Sequence, residues 1–244
     1  MTGSPLAQFQ IKKIIDIPKI FGFDLSISNS AFFMILAVLL SIIFLLFGTK
    51  NLKIKPESKM QIVSESLFGF LKKIMNDSIK DSDSFRFFPL VFTFFMFVIS
   101  CNLLGMLPYG FTVTSHIIIT FSMALFILIL ITLFGLVKNG FSFFKIFLPT
   151  GTPLWLSPLI TFIEIFAYLA RSISLSLRLS ANMIAGHTML KVIAGLAVGA
   201  GLMTIFPFIF IVLITAFEFF VAMLQAYIFA MLICVYLNDV YASH

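Results

Sequence analysis

Charge is scarce in this chain. Only 11% of its 244 residues are Asp, Glu, Lys or Arg, while 61% are hydrophobic, and the mean hydropathy is +1.13. A soluble globular surface needs about 25% charged residues, so that class is excluded and the sequence is that of an integral membrane protein. There are just two cysteines, Cys101 and Cys234, far apart in apolar stretches and without a CxxC pair. That excludes a disulfide framework and a thiolate metal site, and both residues are expected to be inert packing groups. Three histidines with no bis-His spacing within a helix exclude a haem or metal site of the usual kind, so no cofactor and no metal is expected. No GxxxxGK[ST] run is present to cradle a nucleotide. A single tryptophan stands against 33 phenylalanines, which supply lipid-facing bulk. The net charge of +6 does not imply nucleic acid, because the lysines flank apolar segments, where they orient a membrane protein. The first 19 residues have no uninterrupted apolar core before a small-residue cleavage site, so the first apolar run is expected to be retained.

What is present is a series of apolar segments. Residues 1–30 read as an outward-facing N-terminal tail. Residues 31–48 form an uncharged run about 27 Å long as a helix, close to the roughly 30 Å of bilayer hydrocarbon. Lys50, Lys53, Lys55 and Lys59 follow at once and put that end on the inner side. Residues 56–80 alternate apolar and charged positions at helical spacing and predict an amphipathic helix on the inner surface. Residues 87–137 predict a transmembrane hairpin that turns at Pro108-Tyr109-Gly110. After a Gly- and Pro-rich stretch, residues 157–240 predict a long tilted helical hairpin. Its first arm, 159–196, would span roughly 55 Å as one helix, so it must break or lie strongly tilted. The expected fold is therefore an all-α membrane protein with about five membrane-embedded helices and one amphipathic surface helix.

That last hairpin carries the chemistry. An ionisable group inside a bilayer costs on the order of 3 kcal/mol on insertion scales, so unless paired it marks a conduction path. At about 100° per residue, Glu164, Arg171, Arg178 and Asn182 fall within roughly 40° of one another and form one polar stripe. Glu218 and Gln225, seven residues apart, share a face of the second arm. Arg178 stays protonated and presents a permanent charge, whereas Glu164, His187 and Glu218 exchange protons where water reaches them. Spacing alone also admits plainer roles: Arg171 neutralising Glu164, Arg178 tied to Glu218 as a helix clamp, and His116 as a cap or interfacial residue.

The stretch SLSLRLSANMIAGH, ending at His187, resembles the signature region of subunit a of F-type ATP synthases, whose arginine sits in an L-R-L-x-x-N-M-x-A-G context. The resemblance extends through CNLLGMLPY, the Glu164 position and LQAYIF, and so covers nearly the whole membrane portion. The His187 and Glu218 arrangement is similar to that of alphaproteobacterial and mitochondrial members. Gly105 departs from relatives that carry a carboxylate there. The resemblance implies a non-catalytic stator subunit in a bacterial inner membrane, alternatively a mitochondrial one. Its long hairpin would face a ring of c subunits, with peripheral stalk b subunits and the remaining synthase as partners. Arg178 would separate two proton half-channels, one through His187 and Glu218 with Gln225 and Asn182 as support, the other near Glu164. The competing reading is a secondary proton-coupled transporter, which needs repeated halves and a substrate cavity that the sequence does not display.

Overall fold

The computed structural model describes residues 9–11, 13–15, 26–50, 58–79, 82–107, 110–147, 155–199 and 204–242. The expected turn residues Pro108 and Tyr109, the lysines Lys53 and Lys55, and much of the Gly- and Pro-rich stretch lie outside them. Six α-helices dominate the described residues: α1 (Asn29–Thr49), α2 (Lys59–Ser78), α3 (Phe88–Gly105), α4 (Ile117–Asn139), α5 (Ser157–Gly199) and α6 (Ile205–Ala242). All but α2 are long and apolar enough to cross a membrane. The protein is an all-α membrane protein. A short antiparallel ladder of β1 (Lys13–Ile15) and β2 (Ile27–Ser28) leads into α1, a feature that apolar periodicity did not signal.

Helix ends follow local chemistry. The Ser28 hydroxyl accepts a hydrogen bond from the Ala31 amide at 3.3 Å and caps α1. Helix α4 stops at Gly140, whose φ of +54° is readily adopted only without a Cβ. Helix α1 buries only small residues, Ser30, Ala37, Ser41 and Gly48, and exposes its large apolar side chains as a lipid-facing helix does. The Ser41 hydroxyl meets the Ser100 hydroxyl of α3 at 2.9 Å, so α1 is held through a buried polar contact. Helix α2 buries Leu71, Ile74 and Met75, spaced three and four residues apart on one face.

The core forms where α3, α4 and the C-terminal half of α6 converge. Val91, Phe95, Ile127, Ile131, Phe229, Ile233 and Leu237 interlock there with almost no exposure. Helix α5 is 43 residues long and unbroken, about 65 Å or twice the hydrocarbon thickness. Of the two expectations for this segment, a break is therefore removed, and such a helix fits a bilayer only when strongly inclined. It packs along α6 as an antiparallel hairpin. Ala222, Ala226 and Ala230 of α6 are wholly buried at four-residue spacing, a small-residue stripe that suits close helix packing.

Buried hydroxyls then fix the hairpin's register. Tyr236 donates to the Tyr168 carbonyl at 3.1 Å, which leaves the Ser172 hydroxyl to donate to Tyr236 at 2.8 Å. Tyr168 in turn meets Thr132 of α4 at 3.2 Å. At the middle of α5, Ser180 donates to the Ser115 carbonyl and Thr120 donates to the Ser176 carbonyl. Each bond joins helices that apolar packing alone would let slide.

Candidate functional site

The arginines of α5 and Asn182 lie beside its buried face, not within it. Leu175, Leu179 and Met183 are buried against the bundle, while Arg171, Arg178 and Asn182 are exposed along the edge facing α6. Helix α6 supplies the opposite wall. Between the two helices lies a cavity of about 420 Å³ lined by Arg178, Asn182, Gly186, Glu218, Gln225 and apolar neighbours. Four of the six sequence-selected residues thus share one space. His187 adjoins it through Glu218, and Glu164 lies apart from it.

Two ionisable clusters flank Arg178 along the hairpin. On one side, His187 Nε2 stands 3.4 Å from Glu218 Oε1, with the side chains only 13% and 5% exposed. The contact lacks hydrogen-bond alignment, and both atoms are buried without a hydrogen-bond partner among the described residues. On the other side, Arg171 reaches Glu164 at 3.8 Å and Asp239 at 3.4 Å. His187 is nine residues beyond Arg178 and Arg171 seven before it, which is about 13 Å and 10 Å along the helix axis. Arg178 itself makes no ion pair among the described residues. The clamp between Arg178 and Glu218 that spacing admitted is not formed.

The environment of Glu218 depends on a glycine. A Cβ on Gly186 would stand 2.7 Å from Glu218 Oε1 and 2.8 Å from its Cδ, so in its present position this carboxyl group rests against α5 where a side chain would otherwise displace it. Nearby, Asn102 of α3 donates to the Ala222 carbonyl at 3.1 Å, while its own carbonyl oxygen stays buried and unpartnered. The Gln225 carbonyl oxygen and the Thr114 hydroxyl are buried in the same condition. Several unsatisfied buried polar atoms around α3, α5 and α6 are what water-bridged groups present.

Gly105 has a steric explanation. A Cβ there would meet the Thr112 side chain at 2.8 Å and its Cα at 3.3 Å, so this packing has no room for a carboxylate. His116 precedes α4 but makes no side-chain cap. Its ring stacks on Phe111 at 5.3 Å, and burial holds its pKa below the ordinary value. Phe9 sets its ring edge-on to His187 at 6.4 Å, bringing the N-terminal segment to the site. Sequence reasoning missed Asp239, Gly186 and Phe9 as site residues. The only linear signal was for Gly186, which immediately precedes His187. Among the described residues, no group of three or more His, Cys, Asp or Glu is arranged to hold a metal ion.

Comparison with known proteins places this geometry in a family context. The family model for the ATP synthase A chain matches residues 31–238. A protein named ATP synthase subunit a from Wolbachia sp. subsp. Drosophila simulans (strain wRi) is 48% identical over 240 residues, covering 98% of this chain and 99% of the relative. ATP synthase subunit a from Wolbachia pipientis wMel is 48% identical over the same length and coverage.

Proposed function

The chain belongs to the ATP synthase subunit a family, and from that premise we infer that it is the stator that conducts protons to and from a rotating ring of c subunits. The observation that carries this reading is Arg178: an exposed cation without an ion-pair partner among the described residues, on the wall of a cavity, between two ionisable clusters. A charge so disposed is available to a group on a neighbouring molecule.

The physics of the passage follows from dielectric. A carboxyl group crosses hydrocarbon only when neutral, because an isolated ion there is far too costly. Beside Arg178 it ionises readily. At an effective dielectric of about 20, a guanidinium roughly 4 Å away favours the carboxylate by about 4 kcal/mol, roughly a thousand-fold in the equilibrium. Arg178 cannot carry a proton itself, so it forces each ring carboxyl to discharge on one side and reload on the other. His187 and Glu218, backed by Gln225 and Asn182, form the outer path, and Glu164 belongs to the inner one. A proton then crosses only when the ring turns. Each charge moved through 100 mV yields about 2.3 kcal/mol, so several are needed for each ATP.

This role makes the chain a non-catalytic subunit of the complex, seated in a bacterial inner membrane with peripheral stalk b subunits beside it. Replacing Arg178 with alanine tests the reading. With the complex assembled, ATP synthesis driven by an imposed proton gradient is expected to vanish; synthesis at the normal rate would overturn it.

A further inference from the structure

We propose that Phe9 is a positioning residue of the outer proton path, holding the His187 imidazole toward Glu218 and roofing the pair against outer water, an inference that rests on the proton-channel reading above. The Phe9 and His187 ring centroids are 6.4 Å apart with their planes at 65°, an edge-on arrangement that aromatic rings favour. Phe9 belongs to neither of the two buried apolar clusters among the described residues, so core packing does not account for its place. Of Phe9, Gln10 and Ile11, only the one that meets His187 is covered; the other two are exposed.

The segment is held in place by the first turn of α1. The Asn29 side-chain amide donates to the Gln10 carbonyl at 3.2 Å, and its oxygen accepts from the Ser30 amide at 2.9 Å, which fixes the direction of the donor. Just beyond Phe9, β1 pairs with β2, Lys13 opposite Ser28, and β2 runs directly into α1. Helix α1 packs on α3 through Ser41 and Ser100, whereas His187 belongs to α5. The N-terminal segment therefore bridges from α1 to the site. Lys50, at the opposite end of α1, marks the inner side, so the bridge lies across the outer end of the bundle.

An imidazole turns about its Cβ–Cγ bond with a broad torsional profile, and such a turn would carry Nε2 from its place 3.4 Å from Glu218 Oε1. The Phe9 ring bears on the imidazole and opposes that turn. The pair is also sealed: its side chains are 13% and 5% exposed, whereas Arg178 and Asn182 of the same helix α5 stand exposed. With the roof closed, protons reach the pair from the α3 side. There the Asn102 and Thr114 oxygens are buried without a hydrogen-bond partner among the described residues and offer sites for water. The outer rim does not depend on Phe9 for its assembly. Phe33 of α1 meets Phe111 at 6.2 Å, and Ser180 of α5 donates to the Ser115 carbonyl, so α1, the α3–α4 connection and α5 stay joined without it.

The test uses the assembled complex in vesicles, with gradient-driven ATP synthesis normalised to assembled complex. Separate samples are treated with diethyl pyrocarbonate, and its addition to each histidine is followed by mass spectrometry of the peptides. Phe9→Ala is expected to raise the labelling rate of His187 at least fivefold, to leave that of His116 within twofold, and to lower synthesis at least threefold. Phe9→Tyr, which keeps the ring, should retain the normal labelling within twofold and at least half of the synthesis. His187 labelling that does not rise in Phe9→Ala, that rises equally at His116, or that rises while synthesis stays normal overturns the proposal. Asn29→Ala removes the bond to the Gln10 carbonyl and should raise His187 labelling at least twofold. If Phe9→Ala does not assemble, Asn29→Ala decides, and no rise there overturns the proposal; failure of both to assemble assigns the segment a structural role and also overturns it. Arg178→Ala in the same preparation separates the two readings. If that variant is inactive while His187 labelling in Phe9→Ala is unchanged, only the role of Phe9 falls; if Arg178→Ala makes ATP at the normal rate, the channel reading itself falls.

Discussion

Replacing Gly186 with alanine adds one methyl group where α5 and α6 bring Glu218 closest. The new Cβ would lie 2.7 Å from Oε1, 2.8 Å from Cδ and 3.3 Å from Cγ of Glu218, against an ordinary carbon contact of about 3.5–4.0 Å. The carboxyl group must therefore retreat by roughly 1 Å. The carboxyl group is the flexible end of its side chain and borders the cavity of about 420 Å³, so it moves into that space at the low end of the roughly 1–3 kcal/mol that overpacking costs. The same retreat draws Glu218 from His187, now 3.4 Å away. Misplacing a reacting group by about 1 Å lowers a rate by as much as a hundred-fold, so ATP synthesis in Gly186→Ala should fall by about ten- to a hundred-fold. Gly195 on the same helix is the control, because a Cβ there meets nothing within 4 Å. Gly195→Ala should keep the full rate and gain about 0.8–1 kcal/mol in helix propensity. The assay is gradient-driven ATP synthesis per assembled complex in reconstituted vesicles. A full rate in Gly186→Ala, or equal losses in both variants, would refute the steric argument.

The remaining predictions follow from the same geometry. Glu218→Gln and His187→Ala should both slow ATP-driven proton pumping while the complex still assembles, and unchanged pumping in the pair would remove them from the path. Tyr236→Phe strips the hydroxyl that joins Ser172 to the Tyr168 carbonyl and leaves buried partners unsatisfied, at about 1–3 kcal/mol. The expected result is a lower melting temperature of the detergent-solubilised complex with synthesis largely preserved at low temperature; an unchanged melting temperature would show that this network does not hold the hairpin.

Much of the fold was legible because lipid imposes a strong one-dimensional rule. Backbone groups in hydrocarbon must be satisfied within their own segment, so apolar runs translate directly into helices such as α1, α3 and α4. The stripe of Glu164, Arg171, Arg178 and Asn182 was legible for a related reason, since residues on one helix are related by a fixed rotation. The motif around Arg178 carried the family with it. The neighbours supplied by other helices were not legible. Arg171 already had a partner in Glu164, seven residues before it, and nothing in the sequence ranks Asp239, 68 residues later, as the nearer carboxylate.

The sequence by itself determined the class of protein, the helical segments and the presence of a permanent charge at Arg178. Only the tertiary structure decided which groups that charge faces: a cavity wall shared with Glu218 and Gln225, and no ion pair to neutralise it among the described residues. The physical reason is that helix formation depends on neighbours within four residues, whereas the register of α5 against α6 is set by side chains more than thirty residues apart, by the room at Gly186 and the hydroxyl bonds of Tyr236.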